Sequence, residues 1–248
     1  MNLTGRRILV TGASFGIGRE CCVALSELGA RLVLVARNEE RLNETKSWLT
    51  GEGHVAQLFD LNSTDDIPYL MKQIAEKGGA LAGVAHCAGS QLTLPLKSSH
   101  SSQYEDIYRL NLIAGAMLVK GLRQKGVSTK PAAAVLISSI RALTGDSCIS
   151  AYAASKGAVV SMVRSLAVEL AAEEVRVNCV APGYVKTAMT EEFKRALSDE
   201  QYQRLELLHP LGVGRPRDVA NAVAFLLADT GRWITGTTLV VDGGFTAQ

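Results

Sequence analysis

Short apolar runs bounded by turn residues alternate along this chain with longer stretches of helical periodicity. Arg7 to Thr11, Arg31 to Val35, Val55 to Phe59, Leu81 to Cys87, Ala133 to Ser138, Val175 to Val180 and Thr238 to Val241 are the short runs, rich in Val, Ile and Leu. Each has the length of a strand, and a near-continuous apolar run implies burial on both faces of a sheet. Gly16 to Leu28, Glu39 to Leu49, Thr64 to Lys77, Tyr104 to Arg123 and Ala151 to Ala172 read as helices between them. Strands regularly separated by helices predict a doubly wound α/β fold, with about seven parallel strands covered on both sides. No linker, internal repeat or low-complexity tract interrupts the pattern, so residues 1–248 are expected to form a single domain. The least regular stretch, Thr187 to Arg215, is rich in charge, contains Pro210 and reads as a mobile substrate loop before the final helix.

Composition narrows the field by exclusion. The 248 residues are 47% hydrophobic and carry a net charge of +2. That is enough chain to bury a substantial core and too little charge for a nucleic-acid surface. No stretch approaches the ~20 apolar residues that span a bilayer. The opening Met-Asn-Leu-Thr-Gly-Arg-Arg lacks the order of a secretory signal, so a cytoplasmic location is expected. Cys21, Cys22, Cys87, Cys148 and Cys179 have no metal-ligand or C-x-x-C spacing, and the four histidines are scattered, so no metal site is expected.

Two local patterns carry chemistry. Thr11-Gly12-Ala13-Ser14-Phe15-Gly16-Ile17-Gly18 follows the first strand and opens the first helix. Glycines there let a phosphate approach the backbone, and the helix end supplies free N–H groups and partial positive charge. The spacing is G-x-x-x-G-x-G, so nucleotide binding rests on its place between strand and helix. Tyr152 and Lys156 lie four residues apart, on one face of a helix. A tyrosine has an ordinary pKa of about 10, and a nearby ammonium stabilises the phenolate, which makes the pair an acid/base device.

Together, Thr11 to Gly18 and Tyr152-Ala-Ala-Ser-Lys156 resemble the short-chain dehydrogenase/reductase family, in its compact branch, which includes 3-oxoacyl-carrier-protein reductases. The resemblance covers essentially the whole chain and implies a Rossmann-type sheet. His86-Cys87-Ala88-Gly89 resembles the family's Asn-Asn-Ala-Gly, Asn111 matches its helix asparagine, and Ser139 ends the fifth strand thirteen residues before Tyr152. By that resemblance, Tyr152 is the acid/base and Lys156 lowers its pKa and grips the nicotinamide ribose. Ser139 holds the substrate oxygen, and Asn111 connects Lys156 to solvent. Ser138 is the neighbour with which Ser139 is most easily confused. The cofactor site implied comprises Gly12, Ser14, Phe15, Gly16, Ile17, Gly18, Arg37, Asp60, Leu61, Ala88, Gly89, Pro182, Gly183, Val185 and Thr187, with Tyr152 and Lys156. A homotetramer is also implied.

Arg37 decides the expected cofactor. An acid at the end of the second strand would bind the ribose hydroxyls of NAD, whereas Val35-Ala36-Arg37-Asn38 offers an arginine suited to a 2′-phosphate. NADP(H) is therefore expected over NAD. Gln91 to Leu96, Ala142 to Ile149 and the loop after Thr187 are the expected substrate walls. The reaction expected is interconversion of a small-molecule ketone and a secondary alcohol. The alternatives are a 3-oxoacyl-carrier-protein reductase and a non-catalytic nucleotide-binding sensor or scaffold. Carrier-protein reductases carry basic residues near the mouth, including one shortly before the strand ending Asn-x-x-x-Pro-Gly. This chain has Glu173 and Glu174 there, which favours a free small molecule.

Overall fold

Alternate residues of the strands enter two different cores. Leu9, Val33, Val35 and Val84 join Ile74, Leu118 and Val163 in one buried cluster, while Ile8, Val10, Leu32 and Leu34 join Cys21, Leu25 and Val223 in the other. Strand pleat sends successive side chains to opposite faces, so a sheet covered on both sides needs apolar residues at every position. The computed structural model describes residues 1–188, 190 and 198–248. Its strands are β1 (Arg7–Thr11), β2 (Arg31–Ala36), β3 (Val55–Leu58), β4 (Leu81–His86), β5 (Ser128–Ile137), β6 (Val175–Pro182) and β7 (Thr238–Val241). All neighbours pair in parallel, in the order β3-β2-β1-β4-β5-β6-β7.

Helices α1 (Gly16–Glu27), α2 (Glu39–Ser47) and α8 (Pro216–Leu227) cover one face, and α3 (Ile67–Gly78), α5 (Ala114–Leu122) and α6 (Ser150–Leu170) cover the other. Strand order reverses between β1 and β4, and a crevice opens at the carboxyl ends of strands on either side of such a reversal. Every expected site residue except Asn111 lies at or beyond a strand end, or on a helix packed beside one.

Two elements differ from expectation. The helix expected over Tyr104 to Arg123 is α4 (Ser101–Tyr108), a π-helical turn (Arg109–Ile113) and α5. In that turn the Ala114 N–H bonds the Arg109 carbonyl, five residues back, and Asn111 sits fully buried. His86 explains the widening: its Nε2 is 3.2 Å from the Leu110 carbonyl oxygen. A π-turn inside a helix commonly marks a functional position. Of the expected substrate loop 187–215, positions 189 and 191–197 lie outside the described residues. The rest contains α7 (Asp199–Leu207). Ser198 caps it reciprocally with Gln201, at 3.2 and 2.9 Å. Among the described residues, no helix is long and apolar enough to cross a membrane, and no His, Cys, Asp and Glu cluster could hold a metal.

Candidate active site

The turn from β1 into α1 is shaped as an anion cradle. Gly12 and Gly16 have φ of 66° and 57°, the left-handed region where a side chain is strained. Packing demands glycine as well. A Cβ on Gly12 would lie 2.8 Å from Ala88 N, and one on Gly18 would lie 2.2 Å from the Gly12 carbonyl oxygen. Phe15 caps α1 without a side-chain hydrogen bond, and the first turn holds no acid. The first N–H groups therefore face outward at the positive end of the helix, a donor set that fits a dinucleotide pyrophosphate.

A cleft of about 280 Å³ runs over this turn. It gathers Gly12, Ser14, Phe15, Gly16, Ile17, Gly18, Arg37, Asp60, Leu61, Ala88, Gly89 and Thr187, as expected from the sequence. The Arg37 side chain is 73% exposed, and its Nη1 is 4.0 Å from Asp60 Oδ2. Such a pair is weak and leaves the guanidinium free to turn to a phosphate. Arg41 also lines this cleft and was missed. The signal for it was present: Asn38 caps α2 by accepting from Arg41 N at 2.8 Å, which places Arg41 on the first turn of that helix.

A second cleft, of about 620 Å³, holds Ser139, Tyr152, Lys156, Pro182, Gly183, Val185 and Thr187. Ile17, Cys87, Gly89 and Thr187 line both clefts, so the two form one trough across the strand ends. Of the expected walls, Gln91, Thr93 and Asp146 to Ile149 face this space. Thr190, Leu205 and His209 of the expected substrate loop face it too, whereas Arg141 and Tyr184 were missed. Arg141 follows Ser139 by two residues in a short 3₁₀ turn (Ile140–Ala142), and its Nη2 is 2.7 Å from Asp146 Oδ2. His209 Nε2 accepts from Tyr184 N at 3.2 Å, so a residue remote in sequence fixes the wall beyond Gly183.

Ser138 and Ser139 separate cleanly. Ser138 Oγ donates to the Lys156 carbonyl at 2.9 Å and pins α6 to β5. Ser139 Oγ accepts from Arg141 N at 3.1 Å, which leaves its proton for an oxygen in the cleft. Burial pushes the Tyr152 phenol above its ordinary pKa, while hydrogen bonding by Ser139 and the charge of Arg141 pull the other way. The Lys156 ammonium, of which lowering that pKa is expected, donates one N–H to the Ile137 carbonyl at 2.8 Å and sits 5.8 Å from the Tyr152 ring centroid. Burial brings the Lys156 pKa down from 10.5 to about 8.

Asn111 does not line the cleft; it backs it. Its Nδ2 donates to the Ser90 carbonyl and to Ser155 Oγ, both at 3.0 Å, and its Oδ1 accepts from Ser90 N at 2.9 Å. A Cβ on Gly89 would lie 3.0 Å from Asn111 Oδ1 and 3.3 Å from Lys156 Nζ. The bare glycine thus lets the amide and the ammonium approach the same point. His86 occupies the family's first asparagine position and still closes a hydrogen-bond chain. Its Nε2–H donates to the Leu110 carbonyl, its Nδ1 accepts from Thr11 Oγ1 at 2.9 Å, and Thr11 Oγ1 accepts from Ala88 N at 3.2 Å. Burial, then the Lys156 charge, hold the His86 pKa at about 3, so the ring is neutral, as this tautomer requires.

The family model described as Enoyl-(Acyl carrier protein) reductase matches residues 12–246. The 3-oxoacyl-[acyl-carrier-protein] reductase of Rickettsia bellii (strain RML369-C) is 34% identical over 245 residues, 98% of each chain. Glucose 1-dehydrogenase of Gluconobacter oxydans (strain 621H) is 32% identical over 252 residues, 98% of this chain and 92% of that one. Among solved structures, a putative short-chain alcohol dehydrogenase from Sinorhizobium meliloti 1021 superposes with a TM-score of 0.93 at 33% identity, covering 100% of this chain and 98% of that one. A short-chain type dehydrogenase/reductase from Mycobacterium ulcerans gives 0.91 at 29%, covering 100% and 92%. Likeness of this extent, in sequence and in fold, makes the chain a member of the short-chain dehydrogenase/reductase family.

Proposed function

We propose that this oxidoreductase interconverts a small-molecule ketone and a secondary alcohol with NADP(H), using Tyr152 as the acid/base. The observation that carries the reading is the convergence of Ser139, Tyr152 and Lys156 on a trough continuous with the glycine turn. The nicotinamide supplies or accepts the hydride when bound. The side chains then have three tasks. Ser139 hydrogen-bonds the substrate oxygen and orients it. Tyr152, kept protonated by burial, gives that oxygen its proton during reduction. Lys156, charged at neutral pH, has two N–H groups beyond the one on Ile137 for the ribose and for the developing phenolate. Asn111 Oδ1 and Lys156 Nζ approach the same point at Gly89, and in this reading Asn111 helps hold a water that connects Lys156 to solvent. An NADPH-oxidation screen across ketone classes tests the reading, and absence of turnover with every carbonyl would leave a nucleotide-binding sensor instead.

The NADP(H) preference rests on Arg37, on Arg41 in the same cleft and on the absence of an acid at the end of β2. Arg37→Ala is expected to lower kcat/KM for NADPH by about 10-fold or more, the scale of a lost charge-assisted pair. The value for NADH should stay within about threefold, since a free ribose makes no phosphate contact. Steady-state kinetics with both cofactors decide, and a wild-type enzyme that prefers NADH overturns the assignment. A homotetramer is proposed with this reading. On α6, Val168 is 82% exposed, and light scattering tests the assembly.

The carrier-protein reductase is a second reading, favoured by relatives of that name at 31–34% identity. Glu173 and Glu174, expected near the mouth, precede the amino end of β6, roughly 25 Å of strand from Pro182 at its other end. They do not bear on the cleft of a single chain. Among the described residues lining the cleft, Arg141 pairs with Asp146 at 2.7 Å. A cation already matched by a carboxylate offers little to an acidic carrier. The same acyl group on its carrier protein and on a short thioester should therefore give kcat/KM values within about 10-fold. A carrier preference of about 10²-fold that fades with salt establishes the second reading instead.

A further inference from the structure

Cys87 stands where the family's segment carries its second asparagine, at the junction of the two clefts. Its Sγ is 3.8 Å from Sγ of Cys21, which is wholly buried on the sheet-facing side of α1. Among the described residues this is the only recorded contact between two cysteine sulfurs. Cys179 is engaged with the Thr238 hydroxyl at 3.2 Å, and Cys148 faces the substrate side of the trough. One member of the pair is thus open to a small solute entering the trough, and the other is a buried partner that solvent does not reach.

We propose that Cys21 and Cys87 are an oxidisable dithiol, which a hydroperoxide converts to a disulfide that ties α1 to the exit of β4 and weakens dinucleotide binding. The Cys87 thiolate attacks one oxygen of hydrogen peroxide, the O–O bond breaks, and Cys87 becomes a sulfenic acid as one water leaves. The Cys21 sulfur then gives up its proton and displaces the sulfenic hydroxyl as a second water, forming the S–S bond. Two thiols lose two electrons and two protons, and one peroxide becomes two waters. The order of attack follows from placement. Hydrogen bonding with Cys87, then burial, push the Cys21 thiol well above its ordinary pKa, so it is the poorer first nucleophile.

The consequence for the cofactor site comes from packing. An S–S bond is about 2.0 Å long. Closing the 3.8 Å gap takes rotation of the two side chains and, in this proposal, a movement of α1 towards the β4 exit. The glycine turn has no slack for this. The site of a Cβ on Gly12 is 2.8 Å from Ala88 N and 3.0 Å from the Cys87 carbonyl carbon, and Gly18 in turn abuts the Gly12 carbonyl. Close-packed backbone transmits such a shift to the N–H groups that would hold the pyrophosphate. By linkage, a bound dinucleotide opposes the oxidation to the same extent.

The test treats the full chain with hydrogen peroxide, alone or with NADPH or NADH. It is followed by alkylation under denaturing conditions and peptide mass mapping. The expected product has lost two hydrogens and two alkylatable thiols. It yields a Cys21–Cys87 cross-linked peptide, binds NADPH at least about 10-fold more weakly, recovers on treatment with a dithiol and forms more slowly with nucleotide present. Cys21→Ala, and Cys21→Ser if the alanine variant does not fold, should bind NADPH normally and give no cross-link. The proposal is overturned by a disulfide between other cysteines, by Cys87 carrying added oxygen while Cys21 stays alkylatable, or by a cross-linked product with unchanged affinity. An equal loss of binding in the Cys21 variant overturns it too, by assigning the effect to Cys87 alone. Mapping reads the bond whichever dinucleotide binds, so its failure is distinct from failure of the NADP(H) assignment.

Discussion

Tyr152→Phe is expected to lower kcat for ketone reduction by about 10²-fold or more, while NADPH affinity stays within about threefold. The substitution keeps the ring in place between α6 and the cleft and removes only the hydroxyl that faces Ser139. A positioned acid contributes typically 10² to 10⁴ in rate, and 10² is about 2.7 kcal/mol of barrier. In the proposed reading nucleotide binding rests on the glycine turn, Arg37 and Lys156, so it should survive. The measurements are pre-steady-state hydride transfer and NADPH fluorescence titration on the same preparation. Near-wild-type transfer in the variant would remove Tyr152 from the acid role and leave Ser139 as the oxygen's remaining hydroxyl partner. Loss of affinity alongside rate would point instead to a disturbed α6.

The parallel sheet and the glycine turn were legible because both depend on local rules. A strand buried on two faces has nowhere to put a polar residue, and Leu9 and Val10, adjacent in sequence, end in opposite cores. Gly12 and Gly18 are fixed by contacts within eight residues of each other and with one neighbouring strand exit. The choice of Ser139 over Ser138 came from its interval to Tyr152; both line the cleft, and their hydrogen bonds differ, since Ser138 staples a helix and Ser139 accepts from the Arg141 amide. The strands and the glycine turn follow from local spacing, and the interval that singles out Ser139 came from the resemblance.

What the sequence did not disclose depends on contacts between remote residues. The π-turn at Asn111 has no periodic signature. It arises where the Leu110 carbonyl meets His86, a residue 24 positions earlier. Arg141 was passed over because its relevance comes from the fold bringing it beside Tyr152 and across the Phe245 ring, at 5.2 Å. His209 enters the site through one hydrogen bond to the Tyr184 amide. One partner of Lys156 was hidden for a related reason. Its spacing from Tyr152 was right, but that spacing could not show the Ile137 carbonyl taking one of its protons.

Lys156→Met is expected to abolish useful turnover and, at the same time, to stabilise the protein without nucleotide. Lys156 is 4% exposed, and burial lowers its pKa from 10.5 to about 8. Below pH 8 the folded and unfolded chains both carry this charge, and the folded chain bears the full cost of burying it. Between pH 8 and 10.5 the unfolded chain binds the extra proton, so stability from this group rises with pH across that window. Methionine has similar length and no charge, and removes the cost. It also leaves the Ile137 carbonyl without its donor, a loss of about 1 kcal/mol. The net gain at pH 7 should be about 1–2 kcal/mol, read as a higher urea midpoint, and it should shrink by about pH 10. Turnover should fall by about 10²-fold or more, because the developing phenolate and the ribose both lose their cation. A variant that is less stable than wild type at pH 7 would mean that the buried ammonium is held by more than the Ile137 carbonyl. A variant that keeps its turnover would place the work of charge stabilisation on Arg141.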